Sequence, residues 1–256
     1  MAGVFFGSME NHSKSTKPSL ITQEVDMHTP EILYEDNHLI AVNKRPGEIV
    51  QGDKTGDTPM SENLKEYIRE KYHKPGAVFL GVVHRIDRPV SGVVIFARTS
   101  KSLSRMNEFF REKKVHKTYW AVVKNRPPED RGTLIHYLKK DEAKNKSKAY
   151  EHEVPGSSRS WLDYKVIGKS DNYFLLEITP YTGRHHQIRV QLAAMGCPIK
   201  GDVKYGADRT NDNGSIHLHA RHIRFTHPVK KEEIHITAPV PEDVVWKFFE
   251  KQDQTR

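Results

Sequence analysis

Short apolar segments separated by turn residues run through most of this chain, and they restrict its fold more than any other feature. Residues 32–34 and 39–42 flank Glu35-Asp36-Asn37-His38, a spacing typical of a β-hairpin. Comparable segments predict further strands at 78–83, 92–97, 117–123, 133–138, 162–167, 173–178, 216–225 and 233–237. Because strands outnumber helices and short turns join many of them, we predict an α+β domain. Its mostly antiparallel mixed sheet would be flanked by helices and loops.

Helices are predicted where apolar residues recur at helical spacing. The expected helices start at Thr58-Pro59, at Thr99 or Ser100, at His186 and at Val244. Thr58 is expected to be an N-cap and Pro59 the first helical residue, because each residue type favours that position. The polar segment 141–160 is expected to be a loop.

Length and composition favour a single domain. The chain has 256 residues; we assign 30–252 to one folded domain and expect 1–29 to form a flexible tail. No apolar run approaches the length of a membrane span, and the first residues lack the basic region of a signal peptide. The single cysteine, Cys197, excludes an internal disulfide and a cysteine-rich zinc site. We therefore expect a soluble cytoplasmic monomer.

The positive charge of the chain is concentrated in one stretch. The formal net charge is +8, and residues 98–148 hold fifteen lysines and arginines against six acidic residues. Such a surface favours a polyanionic partner. Nucleic acid fits better than a membrane, because no basic amphipathic helix with a Trp/Leu face accompanies the charge. The alternative is a solvated basic surface that keeps the protein soluble.

A carboxylate between two arginines is the first candidate for chemistry. The segment from His84 to Gly92 follows one predicted strand and precedes another, and its Asp87 lies between Arg85 and Arg88. Neighbouring cations favour the ionised form of a carboxyl group. An ionised carboxylate in a loop held by strands can be a nucleophile or a general base. Considered alone, the segment also fits a surface turn with an Asp–Arg ion pair.

Basic residues crowd the start of a predicted helix in the second candidate. Gly183 permits a tight turn, and Arg184 and His186 follow it where exposed amide groups already favour an anion. Arg189 lies three residues after His186 and therefore on a neighbouring helix face. The alternative is an amphipathic helix with basic residues on its surface.

A tyrosine on a predicted strand is the third candidate. Lys117, Tyr119 and Ala121 share one face of that strand, and the small alanine leaves the tyrosine ring free to pack on a flat group. A nucleic acid base is one such group, because aromatic stacking contributes about 1–3 kcal/mol per base. A tyrosine of the hydrophobic core is the alternative.

Metal and cofactor sites have little support in the sequence. His217, His219 and His222 are close in sequence, but no clear set of carboxylates or cysteines completes a metal site. The chain lacks a phosphate-binding P-loop and a glycine-rich dinucleotide turn. We therefore expect no metal and no cofactor.

The order and spacing of these motifs are more specific than any one of them. Together they resemble the RluA branch of the RluA/RsuA family of RNA pseudouridine synthases, without an N-terminal S4 domain. The resemblance extends over about 32–239 and includes Asn43-Lys44, His84 to Gly92, Lys117 to Tyr119, Thr182 to Arg189, Pro198 to Asp202, Tyr205-Gly206, Leu218 to Ala220 and Phe225 to Pro228. The chain departs from the family pattern at Pro46, Ile86, Val90 and His185.

The resemblance implies a fold, a reaction and roles for particular residues. It implies the pseudouridine synthase fold with a central RNA-binding cleft, and isomerisation of specific uridines in structured ribosomal or transfer RNA after base flipping. Asp87 would attack the uridine at C1′ or C6, Tyr119 would stack on the uracil, and Arg189 would pair with Asp87. RNA contacts are implied for His84, Arg85, Lys117, Arg184 and His186.

Two functions from other classes also fit parts of the sequence. A non-catalytic RNA-binding protein on the same scaffold would keep the basic surface and Tyr119 but would not need Asp87. A His/Asp metallohydrolase acting on nucleic acid would depend on a metal. The joint occurrence of Asp87, Tyr119 and Arg189 favours the enzyme.

Overall fold

The computed structural model describes Met1, Gly3 and residues 29–254, so the tail predicted at 1–29 lies almost wholly outside the described residues. The strands are β1 (Ile32–Glu35), β2 (Leu39–Lys44), β3 (Gly81–Val82), β4 (Ser91–Ala97), β5 (His116–Val123), β6 (Arg131–Asp141), β7 (Lys146–Tyr150), β8 (Ser158–Lys169), β9 (Phe174–Pro180), β10 (Leu218–Thr226) and β11 (Glu233–Thr237). The helices are α1 (Met60–Lys71), α2 (Ser100–Arg111), α3 (Gln187–Ala194) and α4 (Val244–Gln254), with a short 3-10 turn at Val203–Tyr205.

All strands in the described part of the chain join one sheet. Its order is β1-β2-β4-β10-β5-β9-β8-β6-β7, with β3 paired to β4 and β11 paired to β10. Strands β4 and β10 are parallel where Ser91 lies beside His219, and the other pairs are antiparallel. The predicted α+β architecture with a mostly antiparallel mixed sheet is confirmed.

Helices α1 and α2 cover opposite faces of the sheet. Val94 and Phe96 of β4 share a buried cluster with apolar residues of α1. Val93 and Ile95 of the same strand pack instead with Met106 of α2. Because successive side chains of a strand point to opposite faces, the alternation of buried residues fixes one helix on each side.

Helices α3 and α4 show the same arrangement farther along the sheet. Ala121 and Val123 of β5 pack in a cluster that includes residues of α3, whereas Trp120 and Val122 pack with residues of α4. Burial of a large apolar side chain contributes about 1.5–3 kcal/mol, so these doubly covered strands are the core of the domain. In the described range, no helix is long and apolar enough to cross a membrane.

Local predictions differ from the structure in three places. The segment 141–160 is not only a loop, because it contains β7 at the edge of the sheet. The lysines of β7 are typical of edge strands, where charged side chains prevent pairing with other chains. The strand predicted at 78–83 is limited to β3. Helix α1 begins with Pro59 at the N-cap and no side-chain cap bond, so Thr58 is not its cap.

Candidate active site

The loop that carries Asp87 joins β3 to β4 and is anchored in the core. The Val90 amide donates to the Asp87 carbonyl at 3.0 Å and closes a turn. Ile86 and Val90 pack against the hydrophobic cluster that also holds Ile188 of α3. The Ile216 amide donates to the carbonyl of Pro89 at 3.1 Å. These contacts fix the backbone on both sides of the carboxylate.

Gly92 allows the end of this loop to meet β10. Its φ is +113°, and a Cβ atom there would overlap the backbone of Ala220, 2.6 Å from the amide nitrogen. Only glycine fits both the conformation and the close approach. Beside it, Ser91 Oγ lies 2.8 Å from Nδ1 of His219, whose Nε2 lies 3.2 Å from the Ala238 carbonyl oxygen. The parallel contact between β4 and β10 therefore sets the position of the loop.

Lys44 anchors the backbone of this loop through hydrogen bonds. Its side chain is fully buried, and Nζ donates to the carbonyl oxygens of Arg45 at 2.9 Å, Arg88 at 3.0 Å and Val90 at 2.7 Å. Burial lowers the pKa of Lys44 to about 7, although the charges of Glu48 and Asp87 oppose the shift. The sequence analysis gave Lys44 no role. The available signal was a lysine that ends a strand whose first four residues are apolar.

Arg189 on α3 joins Asp87 to a second carboxylate. Nη1 of Arg189 donates to Oδ2 of Asp87 at 3.0 Å. Nε and Nη2 donate to the two oxygens of Asp202 at 2.7 and 2.8 Å, a bidentate geometry that restricts the guanidinium. Burial opposes the charge on Arg189, but the bonds and charges of Asp202 and Asp87 outweigh it and raise its pKa. The sequence analysis did not identify Asp202 as this partner.

The two carboxylates that Arg189 binds differ in burial. The Arg189 and Asp202 side chains are 5% and 1% exposed, whereas the Asp87 side chain is 30% exposed. Asp202 is therefore enclosed with its partner, and Asp87 lies at the rim of the same cluster, within reach of solvent. This arrangement holds a carboxylate in place while leaving it accessible.

His186 completes the surroundings of Asp87. Its Nε2 lies 3.6 Å from Oδ2 of Asp87, too far for a strong hydrogen bond. Its Nδ1 lies 2.9 Å from the Tyr205 hydroxyl oxygen, which accepts the Ser147 amide at 2.8 Å. Tyr205 is therefore free to donate to Nδ1, which places the imidazole proton on Nε2, facing Asp87. Burial, and then the charge of Arg189, lower the pKa of His186 to about 2, so the ring is neutral at pH 7.

The backbone of His186 is unusual for a residue with a side chain. It adopts the left-handed conformation, with φ 53° and ψ 25°, and forms the N-cap of α3. Such a conformation costs on the order of 1–3 kcal/mol and persists only where surrounding contacts enforce it. The stack of His186 on His185, with ring centroids 3.8 Å apart, is one such contact.

Tyr119 lies on β5 and packs partly against the core. It pairs with Ala220 of β10 and Ile178 of β9, and its ring contacts the cluster under α3. Burial, and then the negative charge of Asp87, raise the pKa of Tyr119, so its phenol is neutral. Ile86, next to Asp87, and Ile188, next to Arg189, pack on the same cluster as Tyr119. The segments that carry Asp87, Tyr119 and Arg189 therefore meet at one cluster.

The other predicted site residues are more dispersed. Arg85 and Arg184 are exposed, and Lys117 Nζ lies 5.9 Å from the centre of the Phe110 ring. His84 accepts the Ile95 amide through Nε2 at 3.1 Å and stacks on Phe110. Burial, and then the charge of Lys117, lower the pKa of His84 to about 3. Its ring therefore supports the fold at the end of α2, and its RNA contact stays a prediction.

The histidines near the C-terminal strands are engaged in structural contacts. His217 Nε2 lies 2.9 Å from Oδ1 of Asp243, and His222 Nδ1 lies 2.8 Å from Oγ1 of Thr237. Among residues 29–254, no group of three or more His, Cys, Asp or Glu side chains is placed to hold a metal ion.

Comparisons with known proteins agree with this geometry. The family described as RNA pseudouridylate synthase matches residues 38–194. Ribosomal large subunit pseudouridine synthase C of Vibrio vulnificus is 33% identical over 243 residues, covering 93% of this chain and 74% of the relative. The protein of that name from Rickettsia felis is 34% identical over 224 residues, covering 87% and 71%. The solved human RNA pseudouridylate synthase domain containing 4 has a similar fold, with a TM-score of 0.71 at 24% identity, covering 86% of this chain and 92% of that one.

Proposed function

The chain belongs to the RNA pseudouridylate synthase family and is an RNA pseudouridine synthase, and on that premise we propose that Asp87 is the nucleophile that attacks the target uridine. The observation that carries the proposal is the bond of 3.0 Å from Arg189 Nη1 to Asp87 Oδ2. This bond fixes the direction of the carboxylate, as covalent catalysis requires of a weak nucleophile.

In the proposed isomerisation of uridine, the Asp87 side chain is the nucleophile. The Asp87 carboxylate adds to the uridine at C1′ of the ribose or at C6 of the base, and the bond between C1′ and N1 breaks. The uracil turns while it is held, and C5 bonds to C1′ as the carboxylate leaves. The proton lost from C5 is balanced by one gained at N1, so the product is an isomer of the substrate.

One oxygen of Asp87 is favoured as the attacking atom. Within residues 29–254, the contacts of the carboxylate from Arg189 and His186 both fall on Oδ2. We assign the attack to Oδ1, because Oδ2 already shares its electron density with the guanidinium. The neutral His186 adds no competing positive charge.

Tyr119 is proposed to hold the uracil as it turns. Its ring is braced by the core on one side and is partly exposed. Stacking on such a ring does not depend on the orientation of the base, so it can persist while the uracil rotates. The neutral phenol near Asp87 also places a polar group where the C5 proton must leave.

Binding of the RNA backbone is proposed for cations around this site, of which Arg85 and Arg184 are exposed and Lys117 is partly buried. Arg85 and Arg184 lie on the two segments that carry Asp87 and Arg189, and Lys117 lies on the strand of Tyr119. Arg85 would help to turn the nucleotide out of its stack, which costs a few kcal/mol and least for an unpaired base. The basic stretch 98–148, which forms α2, β5 and β6, would add phosphate contacts.

The substrate is proposed to be ribosomal RNA of the large subunit. The support is the name that the bacterial relatives share, ribosomal large subunit pseudouridine synthase C. Action on that RNA in the bacterial cytoplasm, by a monomer, belongs to the same proposal. Mapping pseudouridines in total RNA from cells with and without this protein tests it: loss of a site only in transfer RNA would contradict the proposal.

Asp87→Asn is the direct test of the nucleophile. The amide keeps the shape of the side chain but cannot add to the uridine, so tritium release from RNA labelled at uridine C5 should stop. RNA binding should persist, because the exposed cations remain. Turnover near the wild-type rate would refute the assignment. If wild-type protein binds RNA but releases no tritium from any cellular RNA pool, a non-catalytic RNA-binding function would replace the enzyme.

A further inference from the structure

We propose that one face of β6 and β8 forms a second RNA-binding site, which stacks an unpaired nucleotide of the substrate outside the active site. We call it the Trp161 platform and define it as Ile135, Trp161 and Tyr181 with the cations Lys113 and Arg159. The inference rests on the RNA-modifying function proposed above and adds a binding site to it.

Strand register places the apolar members of the platform together. Ile135 of β6 lies directly opposite Trp161 of β8, so the two side chains share one face of the sheet. Tyr181 follows the end of β9, and its ring is near-parallel to Trp161, with centroids 6.4 Å apart at 20°. Ile135 is 46% exposed and Tyr181 is 43% exposed. Aromatic surface left exposed in this way typically marks a binding site.

The positive charge around the Trp161 platform favours a nucleotide as its ligand. Lys113 Nζ lies 4.2 Å from the centre of a Trp161 ring, and the Arg159 guanidinium lies 5.4 Å from it. Cations around an aromatic surface match a nucleotide, whose base stacks while its phosphate meets the positive charge. In the free protein, Lys113 covers the ring; on binding, the same ammonium is well placed for the phosphate.

Asp163, the acidic residue bonded to Tyr181, is already engaged. Oδ2 of Asp163 accepts the Tyr181 hydroxyl at 2.6 Å, and Oδ1 accepts the Thr133 hydroxyl at 2.6 Å. These bonds satisfy both oxygens of the carboxylate and hold the Tyr181 ring in its orientation. Asp163 therefore helps to build the platform.

Backbone bonds connect the platform to the catalytic segments. The Tyr181 amide donates to the Trp161 carbonyl, and the Trp161 amide donates to Oγ1 of Thr182, both at 3.2 Å. Thr182 begins the turn that leads into α3 and Arg189. Lys113 lies in the turn that leads from α2 into β5 and Tyr119. The platform therefore lies on segments that continue into those of Arg189 and Tyr119, on the sheet face opposite Leu162, which packs under α3.

An unpaired nucleotide fits this surface better than duplex RNA. In a duplex, both faces of each base are covered by neighbours, and a flat aromatic surface gains little from it. A splayed base exposes one face, and its stacking contributes the same way for every sequence. The platform would therefore favour RNA with a loop or bulge near the target uridine.

Two substitutions of Trp161 test the inference by fluorescence anisotropy with a labelled single-stranded oligouridylate. Trp161→Leu keeps apolar volume but removes the aromatic face, and should weaken binding by about 5-fold to 150-fold. Trp161→Phe should bind close to wild type. Phe79→Leu is the matched control, because Phe79 is an aromatic residue 48% exposed outside the platform; it should change nothing.

Salt dependence and a duplex probe complete the design. The salt slope is the change in the logarithm of the binding constant with the logarithm of the salt concentration. Trp161→Leu should leave this slope for oligouridylate unchanged, because it removes no charge. Its affinity for duplex RNA should also stay unchanged. Lys113→Met should reduce the slope by about 0.7 for one lost phosphate contact. Wild-type affinity in Trp161→Leu, or equal weakening in Phe79→Leu, would overturn the platform. Binding is measured without turnover, so continued turnover by Asp87→Asn would refute the nucleophile and leave this result intact.

Discussion

Removal of the Arg189 guanidinium should affect stability and catalysis through different carboxylates. Arg189→Met leaves the Asp202 carboxylate, which is 1% exposed, without the cation that binds both of its oxygens. Breaking a buried ion pair by removing one partner costs about 3–5 kcal/mol. Asp87 is 30% exposed and can be hydrated instead, so most of the lost stability should come from Asp202.

A double substitution separates the two effects. Arg189→Met with Asp202→Leu removes the buried charge together with its partner, and replacement of a buried ion pair by apolar groups of similar volume is often neutral in stability. The double variant should therefore regain most of the lost free energy of unfolding. Its turnover should stay low, by about 100-fold or more, because Asp87 still lacks the group that directs it.

Urea denaturation and single-turnover tritium release from RNA labelled at uridine C5 measure the two quantities on the same samples. The single variant should be low in both, and the double variant low only in turnover. Recovery of turnover together with stability would refute the reasoning, because Arg189 would then act through folding alone. Unchanged stability in the single variant would show that Asp202 does not depend on Arg189.

Two further predictions concern the groups around the site. Lys44→Met should lower both stability and the rate at saturating RNA, because the buried Val90 carbonyl loses its donor at a cost of about 1–3 kcal/mol and the part-buried carbonyls of Arg45 and Arg88 lose theirs. Turnover equal to wild type, with the partly exposed Lys65→Met as control, would contradict this role. Burial lowers the pKa of His84, His186 and His219 to about 3, 2 and 3, so these rings contribute stability above pH 6.5 that is lost as the pH falls. The loss should be about 1.4 kcal/mol per pH unit for each. In urea denaturation, the free energy of unfolding of His219→Gln should fall less steeply with decreasing pH than that of the wild type. An identical pH dependence would argue against a contribution from His219.

Most strands could be predicted from the sequence because apolar residues mark them directly. Every residue of β4 is buried, and so are the last four residues of β5. Strand β7 could not be found in this way. Its sequence Lys-Ser-Lys-Ala-Tyr lies at the sheet edge, and its stability comes from pairing with β6 and from the contact of Ser147 with Tyr205. Local composition gives no sign of such long-range contacts.

The candidate site could be predicted only in part, because long-range contacts bring its residues together. Asp87 and Arg189 are 102 residues apart, and only the combined order of the motifs suggested that they meet. The roles of Lys44 and Asp202 depend on burial beneath the loop and on three-dimensional bond geometry. A lysine and an aspartate each have an ordinary surface role in sequence, and nothing local distinguishes a buried one.

One guanidinium binds two carboxylates in this site, and it binds them unequally. Asp202 receives two bonds and Asp87 receives one. If Arg189 held Asp87 by both oxygens, it would orient the proposed nucleophile but also occupy it. Because Asp202 takes the bidentate position, Nη1 of Arg189 binds Asp87 through Oδ2 alone. We infer that Asp202, although it lies outside the reacting groups, keeps the second oxygen of Asp87 available for the proposed attack.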